Sequence, residues 1–337
     1  MPMFFTREDS MRYAIVGSGA VGGLYGGMMA HHGKDVHFLL RSDFDHVREN
    51  GMRIDSVNGD FVLSNPNVYQ RPEDMPRCDL VIVALKSTNN AMLADTLPKV
   101  LADDGIVLTL QNGLDVEADC VAAAPGHAVM GGCCFLCSNK LGPGHIHHLD
   151  YGRIVFGGYE FIGQVDRIEK LGKQIADDMQ ASGIDANWTE DLPAARWRKL
   201  MWNVPFNGLS VVLDASTDAI IGCPASRTLA DRIIREVHAG AAFCGVSIDE
   251  SAIEKTMRHT ETMVPYDSSM RLDFLNGRPM EIEAILGNPL RAVERRLADR
   301  NADSAEKLAH PMPSVKMLRE QLQFLDSRPD TASNLSG

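Results

Sequence analysis

The sequence predicts an α/β protein in two parts: an N-terminal doubly wound sheet at 11–190 and an all-helical C-terminal domain at 191–325. Three observations carry this prediction. Short apolar runs ending at glycine alternate with helical stretches through the first half. Strand-type runs nearly vanish after Pro193. The 337 residues also exceed what one hydrophobic core usually serves, about 250–300 residues.

In chain order, Arg12–Gly17 reads as a short strand, Ala20–His32 as a helix and Asp35–Arg41 as a second strand. Asp79–Lys86 is a buried-type strand followed by a helical stretch to about Leu101. Gly105–Gly113 is a strand running into a Gln-Asn-Gly turn, and Val116–Ala124 is a helix. Unbroken apolar runs of this kind belong to parallel strands buried on both faces. The glycine-rich pieces Ala128–Gly132 and Arg153–Gly157 predict added strands, and Val165–Ser182 an amphipathic helix. The domain boundary falls near Asp191, and the polar tail from Ser327 is expected to fray.

Composition narrows the function classes. With 45 acidic against 33 basic side chains the net charge is -12, which disfavours nucleic-acid and anionic-membrane partners. No run approaches the roughly 20 apolar residues of a membrane span. The first ten residues lack the basic and apolar regions of a secretory signal and read as a short extension. Seven cysteines, an odd number in a long chain, suit a reducing compartment. A cytoplasmic protein is expected.

Gly17-Ser18-Gly19-Ala20-Val21-Gly22 fits G-x-G-x-x-G between a predicted strand and helix. There Gly17 permits the tight turn, Gly19 lets a pyrophosphate approach the backbone, and Gly22 lets the helix pack closely. The helix N-terminus adds N–H donors and a positive dipole end. The N-terminal part is therefore expected to be Rossmann-like and to bind a dinucleotide. An NAD site usually has Asp or Glu at the end of the second strand. Here Arg41 and Ser42 stand there, a planar cation and a hydroxyl suited to a 2′-phosphate, so NADP (NADPH) is the expected cofactor. Lys86 and Asn112 end the next two strands, at the edge where open α/β sheets bind ligands.

Lys199, Asn203 and Asn207 are four residues apart, so each step turns only about 40° around a helix and the three form one polar stripe. Pro205 cannot donate a helical hydrogen bond to the Met201 carbonyl, so a kink or change of winding is expected there. Cys133, Cys134 and Cys137 precede His145, His147 and His148, but there is no second C-x-x-C, and strand cysteines serve as small apolar residues. No metal site is expected. Met257, Met263 and Met270 read as core, and Arg291–Arg300 as a solvated helix face of mixed sign.

Together these residues resemble the 2-dehydropantoate 2-reductase (ketopantoate reductase) family. The matching blocks are Gly17-x-Gly19-x-x-Gly22, Lys86, Gln111-Asn112-Gly113, Gly142-Pro143-Gly144-His145, and Arg198-Lys199-Leu-x-x-Asn203-x-x-x-Asn207. Ser268-Ser269-Met270-x-x-Asp273 and Gly277-Arg278-x-x-Glu281-Ile282 follow in family order. The resemblance implies NADPH-dependent reduction of 2-dehydropantoate to pantoate in a cleft between the domains, a step toward pantothenate and coenzyme A. It implies Lys199 as the general acid, with Glu281 as the carboxylate that contacts the substrate hydroxyl or steadies the lysine. Asn112, Asn203, Asn207 and Ser269 match substrate-binding positions. Arg41 and Lys86 match cofactor contacts, with Asn112 and Glu281 beside them. Asn89 and Thr217 depart from the pattern, standing where many relatives carry glutamine and some carry asparagine. Two other readings stay open on that account: a reductase of another small 2-oxo acid, and a non-catalytic NADP(H)-binding sensor. A homodimer is also left open.

Overall fold

The computed structural model describes residues 11–160, 165–302 and 308–328. The N-terminal extension and the tail from residue 329 onward lie outside the described residues. The chain divides into two compact units, one running to Gln111 and continuing through Glu117–Leu192, the other made of Asn112–Val116 and the chain from Pro193 onward.

The first unit opens with β1 (Arg12–Val16), α1 (Ala20–His31), β2 (Asp35–Leu39) and α2 (Phe44–Asn50). The short strands β3 (Met52–Ser56), β4 (Phe61–Leu63) and β5 (Asn67–Tyr69) follow, then β6 (Cys78–Val83), α3 (Leu93–Val100), β7 (Leu101–Thr109) and α4 (Glu117–Ala123). β8 (Ala128–Gly142), β9 (His145–Glu160), α5 (Val165–Ala181) and β10 (Ala186–Trp188) close it. All ten strands form one sheet in the order β4-β3-β9-β8-β7-β6-β1-β2-β5, with β10 on β9. Pairing is parallel from β5 to β8, whereas β8–β9 and β3–β4 are antiparallel.

The central strands are apolar on both faces because both are covered. Tyr13, Ile15, Leu80, Ile82 and Leu108 enter one core with α1, and their neighbours Ala14, Val16, Val81, Val83 and Val107 enter another with Leu93, Leu97 and Cys120 of α3 and α4. On α1, glycines point at the sheet from two sides. A Cβ on Gly26 would stand 2.7 Å from Ile15 and Phe38 of β1 and β2, while one on Gly23 would stand 2.9 Å from Ile146 of β9. The sheet thus curls around α1 as a half-barrel, with Leu24, Tyr25 and Met29 filling its interior.

Several elements differ from the sequence expectation. β3, β4 and β5 were not foreseen, since each has five residues or fewer and two of them have three. Ala128–Gly132 and Arg153–Gly157 are only the base of a hairpin of 15- and 16-residue strands turning at Pro143-Gly144. The helix expected after Lys86 begins as a 3-10 turn at Ser87–Met92, where Ser, Thr and Asn side chains compete with helical bonding.

The second unit contains α6 (Leu192–Val212), α7 (Thr217–Gly222), α8 (Pro224–Phe243), α9 (Ser251–Thr262), α10 (Ser269–Leu275), α11 (Asn288–Ala302) and α12 (Pro313–Asp326). Its core joins Trp197, Met201, Val204 and Phe206 to Ile233, Val237, Val293, Leu318 and Leu322. The change of winding expected at Pro205 does not occur, for α6 stays α-helical through it. Val204 and Phe206 are fully buried, and their packing outweighs one missing backbone bond. The winding changes instead at Glu283–Gly287, a π-turn leading into α11.

Gly26→Val should lower stability by about 1–3 kcal/mol through overpacking against Ile15 and Phe38, read as an earlier urea midpoint. An unchanged midpoint would show that the helix has room to move off the sheet.

Candidate active site

The turn between β1 and α1 has the shape a pyrophosphate requires. Gly17 adopts φ 101, and a Cβ there would lie 2.3 Å from the Leu85 backbone nitrogen. A Cβ on Gly22 would lie 2.1 Å from the Gly17 carbonyl oxygen, whereas one on Gly19 would meet nothing within 4 Å. Gly19 therefore faces open space, and the first turn of α1, formed by Ala20, Val21 and Gly22, has no side-chain cap and no acidic residue. Unsatisfied N–H groups at such a helix end suit an anion, and a dinucleotide fits these residues, with Ser18 beside the turn.

Arg41 follows β2 and is exposed, and its guanidinium has no hydrogen bond or ion pair among the described residues. Lys86 is half-buried at the start of the 3-10 turn after β6. Gln111 braces that strand end, donating from Nε2 to the Leu85 carbonyl at 2.9 Å and to Asn90 Oδ1 at 2.6 Å. Thr109 donates to Gln111 Oε1 at 3.0 Å.

The second unit carries the polar stripe on α6. Lys199 is half-buried, its Nζ 5.5 Å from the centre of the Trp202 ring. Asn203 donates to Asn112 Oδ1 at 3.3 Å, so residues 91 apart in sequence meet. Asn207 is 2% exposed and its Oδ1 has no hydrogen-bond partner. An amide oxygen buried without a donor costs about 1–3 kcal/mol, and such an atom suits a ligand donor.

Ser210 and Ser268 were missed in the sequence. Ser210 extends the stripe three residues past Asn207, donates to the Asn207 carbonyl at 3.0 Å and lies 2.6 Å from the Ser268 hydroxyl. Ser268 caps α10 by accepting from the Arg271 N–H at 3.1 Å. This fixes Ser269 as the first residue of α10, where its hydroxyl has no hydrogen bond among the described residues. Continued helical spacing along α6 was the signal for Ser210; Ser268 gave none beyond its place in the motif.

Glu281 is buried, and its carbonyl accepts from the Ile285 N–H at 3.1 Å just ahead of the π-turn. Gly113, at φ 116, presses on that turn, and a Cβ there would lie 2.6 Å from the Ala284 carbonyl oxygen. Leu114 N–H donates to the same carbonyl at 3.0 Å, and Asn288 Nδ2 donates to the Leu114 carbonyl at 2.6 Å. Arg291 bonds both Asn288 and Glu283. Partial burial pushes the Glu283 carboxyl up, but Arg291 and Arg319 outweigh it and leave it below the usual glutamate range. Arg291 is thus a brace, not part of a purely solvated face, and Arg295 reaches Asp115 at 3.3 Å. The structure therefore links Asn112 directly to Asn203, Asn207 to the α10 cap through Ser210 and Ser268, and the Asn112 turn to the π-turn after Glu281.

Thr217 is fully buried, donating to the Tyr266 carbonyl at 3.2 Å and accepting from its N–H at 3.3 Å. Its hydroxyl is committed to the fold. Asp273 pairs with Arg278 at 3.0 Å to close the turn after α10. Cys133, Cys134 and Cys137 are buried within β8. His145 bonds Asp55 at 2.7 Å, and His148 bonds Ser56 and the Tyr151 carbonyl, each at 2.9 Å. Among the described residues no three His, Cys, Asp or Glu converge as a metal site, and no helix is long and apolar enough to cross a membrane.

Residues 13–160 match the ketopantoate reductase PanE/ApbA family, and residues 191–326 match the C-terminal part of the same family. The chain belongs to the ketopantoate reductase family. A family member from Nostoc sp., 2-dehydropantoate 2-reductase, is 45% identical over 324 residues, covering 95% of this chain and 97% of its own. The crystal structure of 2-dehydropantoate 2-reductase from Geobacter metallireducens GS-15 superposes with TM-score 0.84 at 37% identity, covering 93% of this chain and 99% of its own. D-Mandelate dehydrogenase, solved as a ternary structure with NADH and anilino(oxo)acetate, has TM-score 0.78 at 22% identity, covering 94% and 98%. At that identity the likeness is one of fold alone.

Asn207→Ala should change the urea-derived stability of the unliganded protein by less than about 1 kcal/mol, because removal of an unsatisfied acceptor offsets lost packing. A loss of about 3 kcal/mol would show that the amide is fully bonded in solution.

Proposed function

We propose that this chain reduces 2-dehydropantoate to pantoate with NADPH, a step toward pantothenate and coenzyme A. The observation that carries the proposal is the stripe Lys199–Asn203–Asn207, a half-buried ammonium and two buried amides on a helix whose buried residues are mostly apolar. The 45% identity to the Nostoc enzyme across nearly both chains supports the substrate assignment. Residues 11–190 hold the dinucleotide in this reading, and residues 191–325, together with Asn112, supply the substrate contacts and the proton.

When bound, the nicotinamide supplies a hydride to the carbonyl carbon. Gly17 to Gly22 receive the pyrophosphate with backbone N–H groups, Lys86 contacts the cofactor from its strand end, and Arg41 takes the 2′-phosphate. The Lys199 ammonium donates a proton to the carbonyl oxygen as negative charge builds there, then recovers one from solvent. Glu281 holds the lysine or the substrate hydroxyl. Asn112, Asn203 and Asn207 fix the 2-oxo acid by hydrogen bonds, and the Ser269 hydroxyl adds a further donor. Because Thr217 is spent on Tyr266, it gives no support to a pocket reshaped for another 2-oxo acid. A buried amide oxygen without a donor, at Asn207, is also of little use to a non-catalytic sensor.

The deciding experiment is NADPH oxidation with ketopantoate beside pyruvate, 2-oxoisovalerate and oxaloacetate. Turnover confined to ketopantoate is expected; a preference for another 2-oxo acid would overturn the substrate. Lys199→Ala should cut kcat by roughly 10²–10⁴-fold while leaving NADPH affinity nearly unchanged. Arg41→Asp should weaken NADPH much more than NADH in direct titrations, and equal losses would remove the 2′-phosphate assignment.

A further inference from the structure

Gly142-Pro143-Gly144-His145 has no role in the reaction derived above, yet it forms the tip of the β8–β9 hairpin. That tip is fastened to the residue following Arg41 and Ser42. The Gly144 N–H donates to Asp43 Oδ2 at 3.0 Å, and Lys140 Nζ reaches the two carboxylate oxygens at 2.7 and 2.6 Å. The Ser42 hydroxyl donates to Asp43 Oδ1 at 3.1 Å. Gly144 has φ 62, and a Cβ there would stand 2.9 Å from Val47 and 3.0 Å from the Gly51 carbonyl oxygen. Asp43 is 5% exposed and, although it precedes α2, makes no side-chain cap to it. Its whole bonding capacity is turned to the hairpin and to Ser42.

We propose that the hairpin tip, acting through Lys140 and Asp43, is a positioning device that aims the Arg41–Ser42 loop and thereby sets the preference for the 2′-phosphorylated dinucleotide. The proposal rests on the NADPH reading above. Arg41 itself is exposed and unpaired, so the direction of its guanidinium follows from its backbone. That backbone is held on one side by the Leu40 N–H on the Tyr69 carbonyl at 2.8 Å and on the other by Asp43. A loop aimed before binding spares the ligand the cost of ordering it, and the apparent affinity falls with the fraction of time the loop is out of place. Lys140 also neutralises the Asp43 carboxylate, which would otherwise repel a phosphate dianion bound at the adjacent residues. Both effects act on the 2′-phosphate and leave a 2′-hydroxyl nearly untouched. Burial pushes the Asp43 carboxyl up, but Lys140, the Gly144 N–H and Ser42 outweigh it, so the group stays anionic.

The test measures NADPH and NADH dissociation constants for the full chain by fluorescence titration. Lys140→Met should weaken NADPH about fivefold or more, with NADH held within about twofold; Lys140→Gln should move the ratio the same way, and serves if the first variant does not fold. Lys140→Arg, which keeps the ion pair, should restore the ratio. Equal weakening of both cofactors, or of neither, while Arg41→Asp still loses NADPH selectively, overturns this inference and leaves the NADPH reading standing. A wild-type protein that binds both cofactors equally overturns both together.

Discussion

A helix with methyl groups or larger at Gly22, Gly23, Gly26 and Gly27 could not lie as close to its sheet as α1 does. Gly22 and Gly26 face β1 and β2, while Gly23 and Gly27 face β9 and β3, where Ile146 and Ile54 come within 2.9 and 3.2 Å of a placed Cβ. Close approach on two sides lets a strongly twisted sheet close around one helix instead of spreading flat. The same curl carries the β8–β9 hairpin tip round to the end of β2, where Lys140 meets Asp43.

In the second unit the ordering constraint is polar. A buried amide oxygen without a donor on α6 is tolerated because Val204, Phe206 and Leu209 around it are buried in a dense apolar core. The bonds near the stripe run outward through secondary anchors: Ser210 to the α10 cap, and Asn112 through its turn to Ala284. Rigid supports of this kind hold a few side chains in place while leaving the Asn207 amide oxygen without a donor.

The central parallel strands and the glycine turn were legible because period, burial and turn chemistry agree there. The α6 stripe was legible because fourfold spacing survives Pro205. The short strands β4 and β5 were not, since three residues carry no period. The middle of the hairpin was hidden because polar Ser, Asn, Lys and His residues interrupt the apolar pattern at 138–148, whereas the structure uses His145 and His148 as strand residues with partners on β3. Thr217 looked like a pocket residue by position, and only the coordinates of Tyr266 reveal where its hydroxyl goes. Long-range partners such as Asp43 and Lys140, 97 residues apart, leave no mark in local patterning.

The π-turn at Glu283–Gly287 holds one residue more than an α-turn would. Every residue after it is therefore rotated by about 100° from the position an uninterrupted α-helix would give it. Asn288 and Arg291 meet Leu114 and Glu283 only with that extra residue in place. Chain length at this point is thus under the same constraint as side-chain identity. Loss of a single residue there would leave the composition of α11 intact while turning its bracing face away, a kind of damage that no substitution within the helix could repair.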